Sequence, residues 1–414
     1  MKIPYGESDF RKIRTGNYLY IDKTRYIQEL EEQGSFNILL RPRRFGKSLF
    51  LSTLQYYYDI SCKDDFEILF GGLSAGKNPT PLRNSYQVLA FDFNGIETDS
   101  KESILAGFSN RVAAELQEFL VRYGYSQEDT QTVAEQNFSP AAQLDSFFTV
   151  TRKAELYILI DGYDYFVNPL PGQDLSTFIK TVSGSINGIR PFYETIKSAT
   201  CCGNVQKIFI TGVTSVSLDS MTSGFNICSH LSSDKAFHQA MGFTVEEAAE
   251  LVQPVAAACG SDPQQVLETI SDWYSGYQFS SQAEEKVFSP EMILHFLRNF
   301  QAECAAPAHM LDEHAVSAYS RQIRTLFSFG DRDENFRLLE DLIVNGKITG
   351  RHKRMLDLYA NKSFERSDFI SLLLHMGLVT ICGSILDQLH YKVPNYLLQK
   401  LYFDYFRMEL EQRA

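Results

Sequence analysis

Four short apolar segments in the first half of the chain predict buried β-strands. They cover residues 36–40, 86–93, 156–160 and 207–210, and each is bounded by turn-forming or charged residues. Strands of a parallel sheet are covered on both faces, so their sequences are continuous apolar runs instead of alternating apolar and polar residues. The segments therefore predict the strands of a parallel sheet.

Helical patterns lie between these segments. One helix is predicted by apolar residues that recur every four positions and form a single face, namely Ile104, Phe108, Val112, Leu116 and Leu120. Ser139 before Pro140 indicates the start of another helix, with serine as the cap and proline at the first helical position. Alternating strands and helices predict an α/β domain over residues 1–240.

The strand signal fades after Gly242. Thr244 and Glu247 have the spacing of a capping box, and we expect the helix that they open to end at Pro254. Further helices are predicted around 263–273, 290–300 and 316–329, and two short strands at 378–381 and 388–393. Helix, strand, turn and strand in this order resemble a winged-helix module. We therefore divide the remainder into a helical, lid-like domain, 241–335, and a helical or winged-helix-like domain, 336–414.

Composition excludes several classes of protein. The chain has 414 residues and a formal net charge of -12, which argues against a generally basic nucleic-acid-binding surface. No run of about 18 apolar residues predicts a membrane span, and the first ten residues lack the apolar core of a signal peptide. Seven scattered cysteines without a CxxC pair argue against structural zinc. We expect a cytoplasmic, reducing environment.

The strongest chemical signal follows the first apolar segment. A tight basic loop there leads into an apolar helix, and the loop and helix start comprise Arg41, Pro42, Arg43, Arg44, Phe45, Gly46, Lys47 and Ser48. A strand, a loop ending in Gly-Lys-Ser and a helix form a phosphate-binding loop. An isolated Gly-Lys-Ser is usually an ordinary helix start, and Arg41 replaces the usual first glycine. The flanking strand and helix and the three arginines favour a real phosphate site.

Each residue of the loop has an expected role. Gly46 lets the backbone approach phosphates, while the helix start offers free N–H groups and a positive dipole end. Lys47 can reach the β- and γ-phosphates, and the Ser48 hydroxyl can coordinate Mg²⁺. The arginines have no carboxylate close in sequence, so we expect an anion to join them.

Later strand ends supply the remaining candidates for catalysis. Asp161 ends an apolar strand and would hold Mg²⁺, although an aspartate in a turn is a common alternative. Gly162 follows it where hydrolytic enzymes of this type often have glutamate. Asp164 is the candidate to orient water instead. Thr211, after the fourth strand, is a candidate sensor of the γ-phosphate, and an ordinary Thr-Gly turn explains its spacing equally well.

With these motifs, the chain resembles the AAA-ATPase-like family of bacterial proteins, which often carry a carboxyl-terminal PD-(D/E)xK nuclease-like domain. The matching segments are 10–14, 20–24, 41–48, 160–164, 210–213, 223–226, 242–244, 273–277, 374–380 and 393–395. The segment 41–48 matches the family's RPRRFGKS form of the loop, which accounts for the missing first glycine. The resemblance implies a P-loop ATPase fold of the additional-strand type, with ATP and Mg²⁺ as ligands.

Two departures from the family affect the expected activity. Gly162 replaces the family's glutamate in its IDEYD segment, and Ser275 replaces an aspartate in WYDGY. Losing a water-positioning residue lowers the rate by orders of magnitude, whereas Lys47, Ser48 and Asp161 still permit binding. One hypothesis is therefore an Mg²⁺-dependent ATPase with weak or altered hydrolysis. The alternative is a nucleotide-gated regulatory module without turnover.

The partners of the chain remain open at this stage. Only about 20 residues follow Asn395, too few for a nuclease domain, so we expect any nuclease partner to be a separate chain. Nucleic acid is a second candidate partner, because a local basic run contains Lys347, Arg351, Lys353 and Arg354. Such a run is more often a solvated surface. Assembly into a homo-oligomer is a further expectation, while no membrane association is expected.

Overall fold

The computed structural model describes most of the chain. The described residues are 2–135, 139–165, 175–215, 227–329, 331–353, 364–386 and 388–413, and for 175–187 the backbone alone. The family segment 223–226 and Arg354 lie outside these ranges.

A five-stranded parallel sheet forms the centre of the amino-terminal half. Its strands are β1 (Phe36–Leu40), β2 (Gln87–Asp92), β3 (Leu156–Asp161), β4 (Val205–Gly212) and β5 (Ser229–His230). Their order across the sheet is β2-β3-β4-β1-β5. Strand β4 is therefore inserted between the strand that precedes the phosphate loop and the strand that ends in Asp161. This order confirms the additional-strand P-loop fold, and the two-residue β5 is a strand that the sequence did not predict.

Nine helices of the described residues precede or connect these strands. They are α1 (Phe10–Thr15), α2 (Arg25–Glu31), α3 (Lys47–Tyr58), α4 (Phe66–Phe70), α5 (Ser74–Lys77), α6 (Lys101–Arg122), α7 (Gln127–Ala134), α8 (Pro140–Val150) and α9 (Leu175–Cys201). The predicted helices α6 and α8 are confirmed. Ser139 caps α8 through the backbone N–H of Ala142, and Pro140 occupies its first turn.

The two faces of the sheet pack against different helices. On one face, Leu39, Leu159 and Phe209 pack with buried residues of α3, including Leu54. On the other face, buried residues of β1 to β4 pack with α6, α8 and α9. Covering both faces with apolar side chains removes them from water, which stabilises the sheet. The same packing places the amino end of α3 beside the carboxyl ends of β1 and β3.

Helices dominate the carboxyl-terminal half. They are α10 (Val245–Ala258), α11 (Pro263–Tyr274), α12 (Pro290–Glu303), α13 (Glu313–Phe327), α14 (Arg332–Glu340), α15 (Arg366–His375) and α16 (Tyr396–Arg413). Thr244 and Glu247 form the expected capping box of α10. The expected stop at Pro254 is wrong, because α10 continues through it to Ala258. Proline removes one backbone donor, and the buried Leu251, Val255 and Ala256 keep the helix packed around it.

A small antiparallel sheet lies near the carboxyl end. Its strands are β6 (Ile348–Gly350), β7 (Thr380–Ile385) and β8 (Gln388–Lys392), in the order β6-β8-β7. Helix α15 precedes the β7–β8 pair, which gives the helix, strand, turn and strand order that the sequence predicted. Buried residues of this sheet belong to the same core as one face of the large sheet. The carboxyl-terminal segment therefore packs against the rest of the described chain.

A disulfide joins Cys259 and Cys304, at the carboxyl ends of α10 and α12, with their Cα atoms 5.2 Å apart. This pairing differs from the expectation of reduced cysteines, because the packing of α10 against α12 brings two distant thiols together. The other five cysteines are free. No helix of the described residues combines the length and the apolar character that crossing a bilayer demands.

A buried ion pair connects the amino-terminal segment to α10. Lys23 Nζ donates to both carboxylate oxygens of Glu247, at 2.7 and 2.6 Å, and to the carbonyl of Gln239 at 2.8 Å. Burial lowers the pKa of Lys23, and Glu247 partly offsets this effect. Asp22 accepts hydrogen bonds from the backbone N–H groups of Thr24 and Ser74. The family segment 20–24 thus joins the P-loop domain to the helical part.

We expect Lys23→Met to lower the free energy of unfolding by about 2–4 kcal/mol, because Glu247 then keeps a buried charge without its cation. Lys235→Met is the matched control, since Lys235 and its partner Glu284 are exposed and the loss should stay within about 0.5 kcal/mol. Urea unfolding of both variants measures the difference. Equal stabilities would show that the Lys23 pair contributes no more than a surface pair.

Candidate functional site

The loop between β1 and α3 has the backbone form of a phosphate cradle. Gly46 has φ +85° and caps α3, and Arg44 has φ +66°, so two residues of this short loop are left-handed. The conformation at Gly46 favours glycine, since other residues rarely adopt it. A side chain at Gly46 would meet no atom within 4 Å, so open space lies over the first turn of α3. Successive N–H groups facing such a space form an anion site.

Three predicted residues come together beside this loop. Ser48 Oγ donates to Asp161 Oδ2 at 2.5 Å, across 113 residues of sequence. Lys47 Nζ donates to the carbonyl of Pro42 at 2.8 Å, which folds the lysine over its own loop. The structure therefore brings the lysine, the hydroxyl and the carboxylate of the sequence hypothesis to one place.

The electrostatics of this group reflect burial. Burial lowers the pKa of Lys47 to about 8, although Asp161 and Asp164 oppose the shift. Burial likewise raises the pKa of Asp161, and the Ser48 hydroxyl and Lys47 partly lower it again. Both groups are thus less stable as ions than in water. A bound anion would favour the charged form of Lys47, and a bound cation would favour the carboxylate of Asp161.

Asp161 retains an oxygen for a metal ion. Its Oδ1 is buried and makes no hydrogen bond to a described residue, whereas Oδ2 accepts from Ser48. A buried carboxylate oxygen without a partner is costly, so a cation beside it would be stabilising. Among the described residues, no group of three or more His, Cys, Asp or Glu side chains could hold a metal ion alone. The donors present fit Mg²⁺ that arrives with phosphate oxygens.

Arg41 lies beneath the loop and not beside a ligand site. Its guanidinium donates to the carbonyls of Leu40, Ser232 and Phe237 at 2.8–2.9 Å, and it lies 4.5 Å from the ring centroid of Phe279. The residue is 1% exposed, and burial lowers its pKa to about 9. These contacts differ from the expectation that Arg41 binds phosphate. Its fork of donors holds the ends of β1 and the 231–238 segment together.

The other two arginines have different environments. Arg44 forms an ion pair with Glu291 of α12, whose side chain is 6% exposed. The expectation that the loop arginines lack carboxylate partners is therefore wrong for Arg44, because α12 packs beside the loop. Arg43 is exposed and makes no ion pair with a described residue. Of the three arginines, Arg43 has the charge most accessible to an anion.

Late family segments form the support of the loop. Phe45 is buried with its ring edge-on to Tyr277 and Phe279, at centroid distances of 4.9 and 5.4 Å. Gly377 has φ +73°, and a Cβ there would lie 2.8 Å from Pro42 Cβ, so only glycine permits this approach. Residues of the segments 273–277 and 374–380 therefore pack against the underside of the P-loop. This contact explains structurally why these family segments occur together with the loop.

The polar atoms of Thr211 and Asp164 form hydrogen bonds within the protein. Thr211 Oγ1 donates to the carbonyl of Leu39 at 2.8 Å and is fully buried. Asp164 accepts from the backbone N–H groups of Val213 and Thr214, and from the Thr214 hydroxyl at 2.7 Å. Both residues lie near the site, but their polar atoms already form hydrogen bonds with β1 and with the residues that follow β4. Their roles as sensor and water-orienting group stay predictions.

A cavity of about 620 Å³ opens beside the loop. One side is formed by residues 44–50, and the facing sides come from residues 4–8 and 19–23, α12 and the 310–314 region. Its walls are mostly apolar and include Leu19, Phe50 and Leu294. A mostly apolar cavity with a few charged groups at one side is the usual form of a ligand site. This volume accommodates a ligand the size of a nucleoside.

Two acidic residues near the site were missed in the sequence. Glu291 reaches the loop from the first turn of α12, and an acid in a first turn is too common to single it out. Asp92 ends β2 directly opposite Asp161 of β3. Like Asp161, it is an acid near the end of an apolar run, and this shared pattern was the available signal.

The basic run near β6 is partly neutralised. Lys353 Nζ pairs with Asp368 at 2.9 Å and with Glu365 at 3.1 Å, while Lys347 and Arg351 are exposed. An engaged lysine contributes less to binding phosphates of a nucleic acid. The nucleic-acid hypothesis therefore stays a prediction.

We expect Arg41→Met to lower the free energy of unfolding by about 3 kcal/mol, because several buried carbonyls lose a charged donor. Arg43→Met is the matched control on an exposed loop position, and its effect should stay within about 0.5 kcal/mol. Chemical denaturation without nucleotide provides both values. Wild-type stability in Arg41→Met together with lost nucleotide binding would instead make Arg41 a ligand residue.

Comparison with known proteins agrees with this architecture. The chain is 27% identical over 319 residues to an uncharacterized protein in the vnfD 5′ region of Azotobacter chroococcum mcd 1. That match covers 75% of this chain and 55% of the relative, so the chain spans about half the length of that curated protein. A Walker-type ATPase of Pyrococcus abyssi aligns over 92% of this chain and 94% of its own, with a TM-score of 0.50 and 12% identity. This likeness concerns the fold alone.

Comparison of the sequence with a protein-family model shows the family to which the chain is related. The model of the AAA-ATPase-like family, described as a predicted AAA-ATPase, matches residues 4–222. The matched region exceeds half of the 414 residues and contains the loop, Lys47, Ser48 and Asp161. The chain belongs to the AAA-ATPase-like family.

Proposed function

We propose that this protein binds ATP with Mg²⁺ at the loop between β1 and α3 and hydrolyses it slowly. The observation that carries the proposal is the meeting of Lys47, Ser48 and Asp161 beside a cavity of about 620 Å³. Membership of an ATPase-like family implies nucleotide binding and supports the same conclusion.

The phosphates would lie over the first turn of α3. There the free N–H groups of the helix and the positive end of its dipole stabilise negative charge. Lys47 Nζ, which now donates to the carbonyl of Pro42, can turn toward the β- and γ-phosphates. Arg43 lies on the same loop with its charge exposed and adds to the positive potential. These groups together offset the charge of a triphosphate.

Ser48 and Asp161 are the residues that would hold Mg²⁺. The Ser48 hydroxyl already lies against Asp161, and Asp161 Oδ1 has no other described partner. When bound, the ion would help to neutralise the negative charge that develops on the phosphates during transfer. The cavity would take the nucleoside, with its base between apolar walls such as Leu19 and Leu294.

Binding without turnover is the second candidate function. Gly162 has φ +67°, and a Cβ there would lie 2.7 Å from Asn94 Oδ1. A glutamate after Asp161 would therefore have a strained left-handed backbone and would displace the Asn94 side chain, so the usual water-activating acid does not fit this position as it is folded. Restoring glutamate at this position would strain the backbone and is a poor test. Phosphate release by the unaltered protein separates the two functions directly.

The cavity also suggests how nucleotide could influence partners. Its walls come from both the α/β part and α12, and Arg44 of the loop contacts Glu291 of α12. A ligand that attracts Arg44 would compete with Glu291 and so change the contact between the two parts. A nuclease chain or a nucleic acid that contacts the helical part would respond to this change.

We expect MgATP at 100 times its Kd to raise the melting temperature by about 3 °C, because it binds the native state. Lys47→Ala should abolish this shift, whereas Lys63→Ala, which alters an exposed lysine outside the site, should preserve it. Differential scanning calorimetry with and without MgATP measures the shift. No shift in the unaltered protein, together with no binding by calorimetric titration, would refute the proposal.

ATP affinity should fall as the pH rises above 8. Lys47 has a pKa of about 8 in the free protein, and phosphate favours its charged form, so binding takes up a proton. Affinity is therefore complete below this pKa and declines above it. The Kd should increase about fivefold between pH 8 and pH 9.

Fluorescence titration with a labelled ATP analogue across this range measures the slope. Lys47→Ala should bind weakly with no such slope, and Lys63→Ala should behave like the unaltered protein. A constant Kd between pH 7 and pH 9 in the unaltered protein would contradict a titrating Lys47.

A further inference from the structure

A second carboxylate lies beside Asp161 on the neighbouring strand. In the parallel pairing of β2 with β3, Asp92 is directly opposite Asp161, and each ends its strand. Paired residues on adjacent strands lie about 4.8 Å apart and point to the same face. The buried residues Val88 and Leu159 of the same alternation face α3, so Asp92 and Asp161 are both on the side of the P-loop helix.

Asp92 is accessible and held in one orientation. Its residue is exposed, whereas Asp161 is 4% exposed. Asp92 Oδ1 accepts from the Asn94 backbone N–H at 2.9 Å and from the Asn94 side-chain amide at 2.8 Å. No hydrogen bond joins Oδ2 to a described residue. The Asp92 carboxylate is thus oriented by the hydrogen bonds to Oδ1, while Oδ2 is open to accept a proton.

Asn94 lies close to the ends of both strands. Asn94, which holds Asp92, also lies against the Cα of Gly162, where a Cβ would be 2.7 Å from its Oδ1. Asn94 therefore crowds the position after β3, and the same residue orients the acid at the end of β2.

The other nearby acid is occupied. Asp164 is 2% exposed and accepts hydrogen bonds from Val213 and Thr214 through both carboxylate oxygens. Removing it from those donors would leave buried N–H groups unpaired, which is costly. Among the described residues, Asp92 accepts hydrogen bonds only from Asn94, and these bonds are exposed. It is the acid beside Asp161 that can interact with water.

We propose that Asp92 activates the water that attacks the γ-phosphorus, in place of the absent glutamate after Asp161. This role rests on the proposed binding of MgATP. The water oxygen forms a bond to the γ-phosphorus while the bond from that phosphorus to the bridging oxygen breaks, and ADP leaves with that electron pair. Asp92 accepts the proton of the water and, because it is exposed, returns it to solvent. The products are ADP and inorganic phosphate.

Asp92→Asn tests the proposal because the amide keeps the shape but cannot accept the proton. We expect kcat for phosphate release to fall at least about 100-fold, since positioned general bases contribute 100- to 10,000-fold. KM and the Kd for ATP should change less than about threefold, because Lys47, Ser48 and Asp161 remain. Asp92→Glu, which keeps the carboxylate, should retain kcat within about fivefold.

Asp99→Asn is the matched control, since Asp99 is an exposed aspartate on the loop after β2. It should leave kcat unchanged. A kcat within about threefold of the unaltered protein in Asp92→Asn would overturn the role of Asp92. Recovery of Asp92→Asn by raised Mg²⁺ would also overturn it, because Asp92 would then belong to the metal shell.

The same measurements separate this proposal from the proposed function. If the unaltered protein releases phosphate and Asp92→Asn does so at the same rate, the proposed function stands and only the role of Asp92 is refuted. If the unaltered protein binds MgATP but releases no phosphate, ATP binding stands, while slow hydrolysis and the role of Asp92 are both refuted. If the unaltered protein fails to bind MgATP, the proposed function is refuted first. Melting temperatures of all variants without nucleotide establish that each one is folded before its kcat is compared.

Discussion

The burial of Phe45 beneath the phosphate loop is the contact on which the site depends. Its ring packs edge-on against Tyr277 and Phe279, so a loop with two left-handed residues is fixed by an aromatic core. Gly377 approaches Pro42 on the same underside. The loop of the α/β part is therefore shaped by residues that are more than 200 positions later in the sequence. The shape of the phosphate loop is thus tied to the packing of the helical part.

Three basic side chains near this core illustrate how environment assigns function. Arg41 is buried and Lys47 is partly buried, and burial lowers the pKa of both. Arg41 donates to several carbonyls, whereas Lys47 donates to one. Exchanging the partners of Arg41 for a ligand would leave those carbonyls unsatisfied. Lys47 loses only one hydrogen bond when it turns to phosphate. Arg43 is exposed and would lose no ion pair with a described residue on binding phosphate.

The sequence was informative where a local pattern decides the structure. The strands β1 to β4 were found because strands buried on both faces are apolar throughout, and Thr244 and Glu247 were found because a capping box is local. The carbonyl contacts of Arg41 were not predicted, because phosphate and carbonyl oxygens attract the same guanidinium, and its role at phosphate stays a prediction. The contact of Glu291 with the loop depends on packing, which no local pattern contains. Asp92 shares the local pattern of Asp161, but its place opposite Asp161 depends on strand register.

The ion pair of Arg44 and Glu291 gives the site a route to the rest of the chain. Glu291 Oε2 is buried without a hydrogen-bond partner among the described residues, while Oε1 contacts Arg44. A carboxylate in this condition depends on its single cation, because burial penalises the unpaired charge. Triphosphate beside the loop would attract Arg44, which half-exposed can turn toward it. Any such movement would leave the buried Glu291 carboxylate without its cation and would destabilise its present position. Helix α12 would then shift in response. Under the proposed function, nucleotide binding at the loop would thereby be coupled to the helical part through one acid.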